Sequence, residues 1–207
     1  MKKIYLLFLF FTVLELTAQN FNGGFFAGPL TSQVDGDRLS GYDKSSFHFG
    51  FFTNRYFNNN MGFQMELKYI GKGSRKNIDV NKGITNFYLL KLQYIEVPIM
   101  LLFKYNDKFT FSAGASYGVL LKAQEDSDGN GFIEPFNPYY KGFEVAGQAS
   151  FFYSLGEFIS AEFRFSYSLL PIRPYPGNQS YYLDAGQKNN LLSLAIYYTF
   201  DNQDFND

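Results

Sequence analysis

The chain has 207 residues, of which 46% are hydrophobic, 18% charged and 21% aromatic, with 26 Phe, 17 Tyr and no Trp. Zero cysteines exclude disulfide frameworks, thiolate nucleophiles and Cys-ligated zinc, and the single histidine, His48, excludes a His-rich metal site. Lys+Arg 18 against Asp+Glu 19 leaves a net charge of -1, so the basic footprint expected of a nucleic-acid partner is missing, and the length allows one domain or at most two.

Residues 1–18 begin with Lys2 and Lys3, run apolar from Ile4 to Leu14 except at Thr12, and end on the small residue Ala18. This order predicts a signal peptide cut before Gln19. The apolar run is shorter than the ~20 residues a membrane helix needs, and no Cys follows the cut to take a lipid.

From Gln19 onward the pattern has a period of two, the mark of half-buried strands. Segments near 21–31 and 47–57 follow it loosely. From Met61 the rule is strict: Met61, Phe63, Met65, Leu67 and Tyr69 oppose Gln64, Glu66 and Lys68. A segment near 89–105 follows, then one in which Phe111, Ala113, Ala115, Tyr117 and Val119 oppose Ser112, Gly114, Ser116 and Gly118. After a segment near 142–153, Ile159, Ala161, Phe163, Phe165 and Tyr167 oppose Ser160, Glu162, Arg164, Ser166 and Ser168. The last segment sets Leu192, Leu194, Ile196, Tyr198 and Phe200 against Ser193, Ala195, Tyr197 and Thr199.

Between these eight segments, tight turns at 58–60, 106–108 and 155–157 alternate with long polar stretches near 32–46, 73–88, 122–141 and 170–189. Short turns on one side and long loops on the other are the habit of outer-membrane barrels. A soluble sandwich or lipocalin-like barrel would also alternate. Two features favour the membrane: the polar faces are rich in Gly, Ser and Ala, as a crowded lumen requires, and aromatics crowd the short-turn ends. Phe57, Phe63, Phe103, Tyr105, Phe109, Phe111, Phe151, Tyr153, Phe158 and Phe200 there match an interfacial girdle. The expected fold is all-β, an eight-stranded antiparallel transmembrane barrel in up-and-down order over 19–200, with a polar tail at 201–207. The expected location is the bacterial outer membrane, with both termini periplasmic.

Particular residues carry a family resemblance. Gly62 to Ser74 (GFQMELKYIGKGS), Tyr94 to Ile99 (YIEVPI), Phe163 to Leu169 (FRFSYSL) and Asn190 to Leu194 (NLLSL) resemble strands of the PorT-like outer-membrane β-barrel proteins of Bacteroidetes. The similarity runs from about Gly24 to Phe200. It implies the same fold, makes Glu66 and Glu96 the motif carboxylates, and points to an accessory role in protein secretion, the role of the family's name-giving member. One departure is the tail after Phe200, where such barrels commonly end on an aromatic residue.

Three sets of residues bear chemistry. Inward charges Glu66, Lys68, Glu96, Glu144, Glu162 and Arg164, with Gln64 and Gln148, are expected to pair across a bore just wide enough for side chains; Lys68 with Glu96 and Arg164 with Glu144 are the expected partners. His48 lies opposite Phe47, Phe49 and Phe51, and without a marked Ser and acid beside it, it makes no triad. The third set is Asp126, Asp128, Asn130, Phe132 (through its carbonyl) and Glu134, spaced like a calcium loop with Gly131 at its turn but with Asn137 where a bidentate Glu belongs. Weak calcium binding at 126–137 is the one cofactor expectation.

A basic stretch of Lys72, Arg75, Lys76 and Lys82 at the outer rim is suited to lipopolysaccharide phosphates. Tyr139, Tyr140, Tyr181 and Tyr182 are suited to a protein partner, and Pro171, Pro174 and Pro176 stiffen their loop. The expected function is a non-enzymatic, porin-like outer-membrane barrel serving as a structural or interaction module. Its partners are outer-membrane lipid, lipopolysaccharide and an envelope protein. Secretion accessory is the alternative reading, followed by a narrow solute or ion conduit.

Overall fold

The computed structural model describes residues 21–37, 39, 41–78, 87–135, 139–175 and 186–200. The predicted signal peptide, residues 201–207, Lys82, Asn137, Pro176, Tyr181 and Tyr182 lie outside the described residues. The strands are β1 (Asn22–Asp35), β2 (Lys44–Tyr56), β3 (Met61–Lys72), β4 (Arg75–Lys76), β5 (Tyr88–Lys104), β6 (Phe109–Asp126), β7 (Phe143–Ser154), β8 (Ile159–Ser168) and β9 (Lys188–Thr199).

Neighbours pair antiparallel in chain order, β3 bonds directly to β5, and β1 pairs with β9, so eight strands close into an up-and-down barrel. Closure leaves no open edge, which hydrocarbon demands because an unpaired backbone group there finds no water. The period-two faces resolve as expected: Phe47, Phe49 and Phe51 point outward, while His48, Glu66, Arg164 and Ser193 are buried within.

Three short turns share one geometry. The amide of the residue just after the strand donates to the carbonyl four positions on, at Phe57 to Met61 (2.8 Å), Tyr105 to Phe109 (2.9 Å) and Leu155 to Ile159 (2.9 Å). Two are locked by asparagine: Asn58 Oδ1 accepts the amides of Asn60 and Met61, and Asn106 Oδ1 those of Lys108 and Phe109. Around this rim the girdle is a ring of packed aromatics, including Phe57–Phe63 at 5.6 Å, Phe109–Phe151 at 5.4 Å and Phe25–Phe200 at 6.0 Å.

At the opposite end the strands outrun the loops read from the sequence. β6 has 18 residues, about 60 Å of strand at ~3.4 Å per residue, well beyond the ~25 Å apolar band even when tilted. The stretch read as a polar loop at 73–88 contains β4, which continues the line of β3 and pairs with Leu89 and Tyr88 of β5. Gly73 makes that continuation: its φ is +133, and a Cβ there would collide with the Leu90 carbonyl. A register shift opposite Gln93 and Tyr94 leaves Leu121 unpaired, a bulge in β6. The third long loop is a hairpin bridged at Glu125 and Ile133, and the fourth is tied by a bridge between Arg173 and Gln187.

Candidate functional site: the barrel interior and its two rims

The lumen is filled in layers. Nearest the short turns, Phe26, Phe52, Leu102, Phe152, Ala195 and Tyr197 form an apolar floor, with Phe26 and Tyr197 stacked at 4.5 Å. A vestibule of about 230 Å³, lined by Asn22, Asn54, Ser154 and Ser160 among others, ends on that floor.

Above it sits the Arg164 layer. The Arg164 guanidinium donates to both oxygens of Glu66 (2.5 and 2.9 Å), through Nε to Glu162 Oε1 (2.8 Å), and to Gln148 Oε1 (2.9 Å). Tyr197 hydroxyl donates toward Glu66 and Glu162, both at 3.1 Å, and Gln64 Nε2 donates to Glu66 at 2.8 Å. One planar fork thus holds two carboxylates, a geometry only arginine offers.

The next layer belongs to lysines. Lys68 Nζ lies 3.4 Å from Glu96 Oε2, Lys72 Nζ pairs with Glu96 Oε1, and Lys72 Nζ also lies 2.9 Å from Glu144 Oε2. Glu144 further accepts from Ser168 Oγ (2.5 Å) and Asn189 Nδ2 (3.1 Å). Gly118 makes room for Glu96, since a Cβ there would stand 3.0 Å from Glu96 Cγ. A final apolar layer of Leu30, Val34, Ile70, Leu90, Leu92, Tyr94, Ile172 and Leu191 closes the long-loop end.

The six charges read from the sequence all face the lumen and are buried. Lys68 meets Glu96 as expected. Arg164 does not meet Glu144; it holds Glu66 and Glu162, and Glu144 takes Lys72 instead. Lys72 was expected in the basic stretch at the rim, but β3 extends far enough to turn it inward. Continuing the period from Glu66 through Lys68 and Ile70 lands on Lys72, so the signal was present. Ile172 carried no such signal: it comes from a loop, and its carbonyl accepts the Lys141 amide at 2.7 Å as the loop folds back.

His48 is inside, with Nε2 3.2 Å from the Leu194 carbonyl and its ring 5.7 Å from Phe26. That is a hydrogen-bonded lumen residue.

The calcium-spaced hairpin is organised by its own carboxylates. Asp126 Oδ1 accepts the Gly129 amide at 2.7 Å, and Asp128 accepts the amide and side chain of Asn130 at 3.1 and 2.8 Å, which holds the Asp128 carboxyl below its ordinary range. Phe132 packs under Lys91 Nζ, 4.2 Å from its ring centre, and Glu134 is exposed. Among the described residues no three His, Asp or Glu side chains converge as metal ligands. Tyr139 is exposed as expected, but Tyr140 packs against the upper core beneath Arg173, whose Nη1 donates to its hydroxyl at 3.0 Å. Burial pushes that phenol up to about 12.

The comparisons with known proteins follow the same line. The family described as outer membrane protein beta-barrel domain matches residues 17–173. The chain belongs to this family. It is an outer-membrane β-barrel protein. Among solved structures it is similar to Ail, the attachment invasion locus protein of Yersinia pestis, at 15% identity over 86% of this chain and 98% of that one, with a TM-score of 0.49. It is also similar to Neisserial surface protein A, at 11% identity over 87% and 97% with a TM-score of 0.43. For CarO of Acinetobacter baumannii the values are 9% identity over 84% and 97%, with a TM-score of 0.45. No curated protein matches this chain.

Proposed function

We propose that this barrel is a non-enzymatic anchor whose long loops face the cell exterior and meet partners there, with both termini periplasmic. The observation that carries this reading is the filled lumen. Beyond the short-turn vestibule, two apolar layers and two ion-paired layers of described residues occupy it, which supports a barrel without a through passage. Work on a substrate would need an accessible group, and the one histidine is buried against a backbone carbonyl. The native chain has no cysteine, so single-cysteine variants report orientation cleanly. Asp128→Cys is expected to react with a membrane-impermeant maleimide on intact cells, and Asn59→Cys only after lysis. The reverse pattern would sink the proposed orientation, and step-like currents in planar bilayers would sink the sealed anchor.

The resemblance to PorT-like barrels favours a second reading, an accessory of protein secretion. The motif carboxylates Glu66 and Glu96 are the hubs of the two ion layers, so they account for the fold without requiring a secretion role. Normal export of secreted proteins in a deletion strain would reject this reading. Calcium ordering of the Asp126–Glu134 hairpin is supported by donor spacing alone; calorimetry at millimolar calcium tests it, and absence of heat removes it.

A further inference from the structure

Five cations are buried among the described residues: Lys44, Lys68, Lys72, Arg164 and Arg173. Four of them have a carboxylate oxygen close by, the longest pair being Arg173–Glu125 at 3.7 Å. Lys44 is the exception. It is 6% exposed, makes no ion pair or hydrogen bond among the described residues, and the charge beside it is another cation, Lys91. The Lys44 ammonium is not sealed from solvent, so a counter-ion from outside the chain can reach it.

The place for that counter-ion is a pocket of about 300 Å³ at the long-loop rim, lined by Lys44, Ser45, Ser46, Tyr69, Arg75 and Lys91 among others. Three strands supply its cations: Lys44 begins β2, Arg75 begins β4, and Lys91 lies on β5. Arg75 uses Nε on Asn77, Lys91 faces the Phe132 ring, and neither has a carboxylate partner. Ser45 and Ser46 line the same pocket, whose cations suit the oxygens of a phosphate.

The pocket borders the lipid. Tyr69, on its wall, packs at 5.4 Å on Phe49, and Phe47, two residues beyond Ser45 on the same outward face, is 71% exposed. Cationic pocket and apolar lane are therefore contiguous, as headgroup and acyl chain are in a lipid. We propose that Lys44, Arg75 and Lys91 bind the phosphate of a phosphorylated lipid headgroup at the long-loop rim; that this lipid belongs to the outer leaflet rests on the orientation given above.

The test uses the mature chain in zwitterionic detergent, followed by native mass spectrometry with diphosphoryl lipid A, its phosphate-free counterpart, and inorganic phosphate as competitor. One phosphorylated lipid per barrel is expected, retained about tenfold better than the phosphate-free form, with Lys91→Gln and Lys44→Met each weakening retention about tenfold. Equal retention of the two lipids, or retention unchanged in the variants, overturns the site. Displacement by millimolar inorganic phosphate overturns the lipid assignment in favour of a free-anion site.

Heat-shifted gel migration reports folding separately, and if Lys44→Met does not fold, the outward-facing Lys91→Gln decides. Lys44→Met is further expected to raise the unfolding midpoint without lipid and to abolish its rise with added lipid; a lowered midpoint would mean that Lys44 is structural and overturn the proposal. None of these readings depends on which leaflet the rim meets, so a failed orientation and a failed site are told apart.

Discussion

The two ion layers of the lumen solve one problem in different ways. In the layer nearer the short turns a single guanidinium holds Glu66 and Glu162 together, and its fork also reaches Gln148 and Tyr197. In the other layer two ammonium groups share Glu96, and Glu144 leans on Ser168 and Asn189 as well as on Lys72. The first has one cation and no substitute for it; the second has overlapping partners. Removing one member of a buried pair costs more than the pair contributes, because the charge left behind has neither water nor counter-ion. The layers should therefore differ in how they fail.

The largest effect is expected from Arg164→Met, which strands two buried carboxylates and should lower stability by about 3–5 kcal/mol, read as a fall in the urea midpoint of the heat-shifted species. Adding Glu66→Gln and Glu162→Gln to it should recover much of that loss; a triple variant no better than the single one would show that packing, not charge, sets the cost. Lys72→Met should cost less, about 2 kcal/mol, since Glu96 keeps Lys68 and Glu144 keeps two hydrogen bonds. If Lys72→Met proved as damaging as Arg164→Met, the contrast between the layers would be gone.

Arg164→Lys sharpens the point at smaller scale. A point charge cannot satisfy a bidentate acceptor and Glu162 at once, so loss of stability despite retained charge is expected by the same urea measurement. Smallest is Phe151→Ser in the girdle, about 0.5–1.5 kcal/mol for lost aromatic pairing, with the lumen unaffected. A larger loss there would place more of the stability in the outer surface than in the ion layers.

Much of this was legible in the chain before folding. A strand turns successive side chains to opposite faces, so alternation alone separated Phe163 and Phe165 outside from Glu162 and Arg164 inside. Turn residues such as Asn58 and Asn106 marked one rim, and aromatic crowding marked the same rim as an interface. The pairings were another matter. Lys68 and Glu96 were found because their strands are bonded neighbours. Arg164 and Glu66, 98 positions apart, sit on strands that never touch and meet only across the bore. Loop residues lack the pleat's parity altogether, so nothing in the sequence marked Ile172 as part of the upper seal.

Composition, an 18% charged and 21% aromatic chain without cysteine, together with the period of two, determined a barrel with charges inside and rings outside. Covalent alternation fixes the face of each residue within an unbroken strand, and only a bulge such as the one in β6 shifts it. Only closure and strand register decided which charges neutralise one another, that Lys72 lies inside, and that Lys44 has no carboxylate partner among the described residues. These depend on the azimuth and height of each side chain around the bore, which the linear order does not specify.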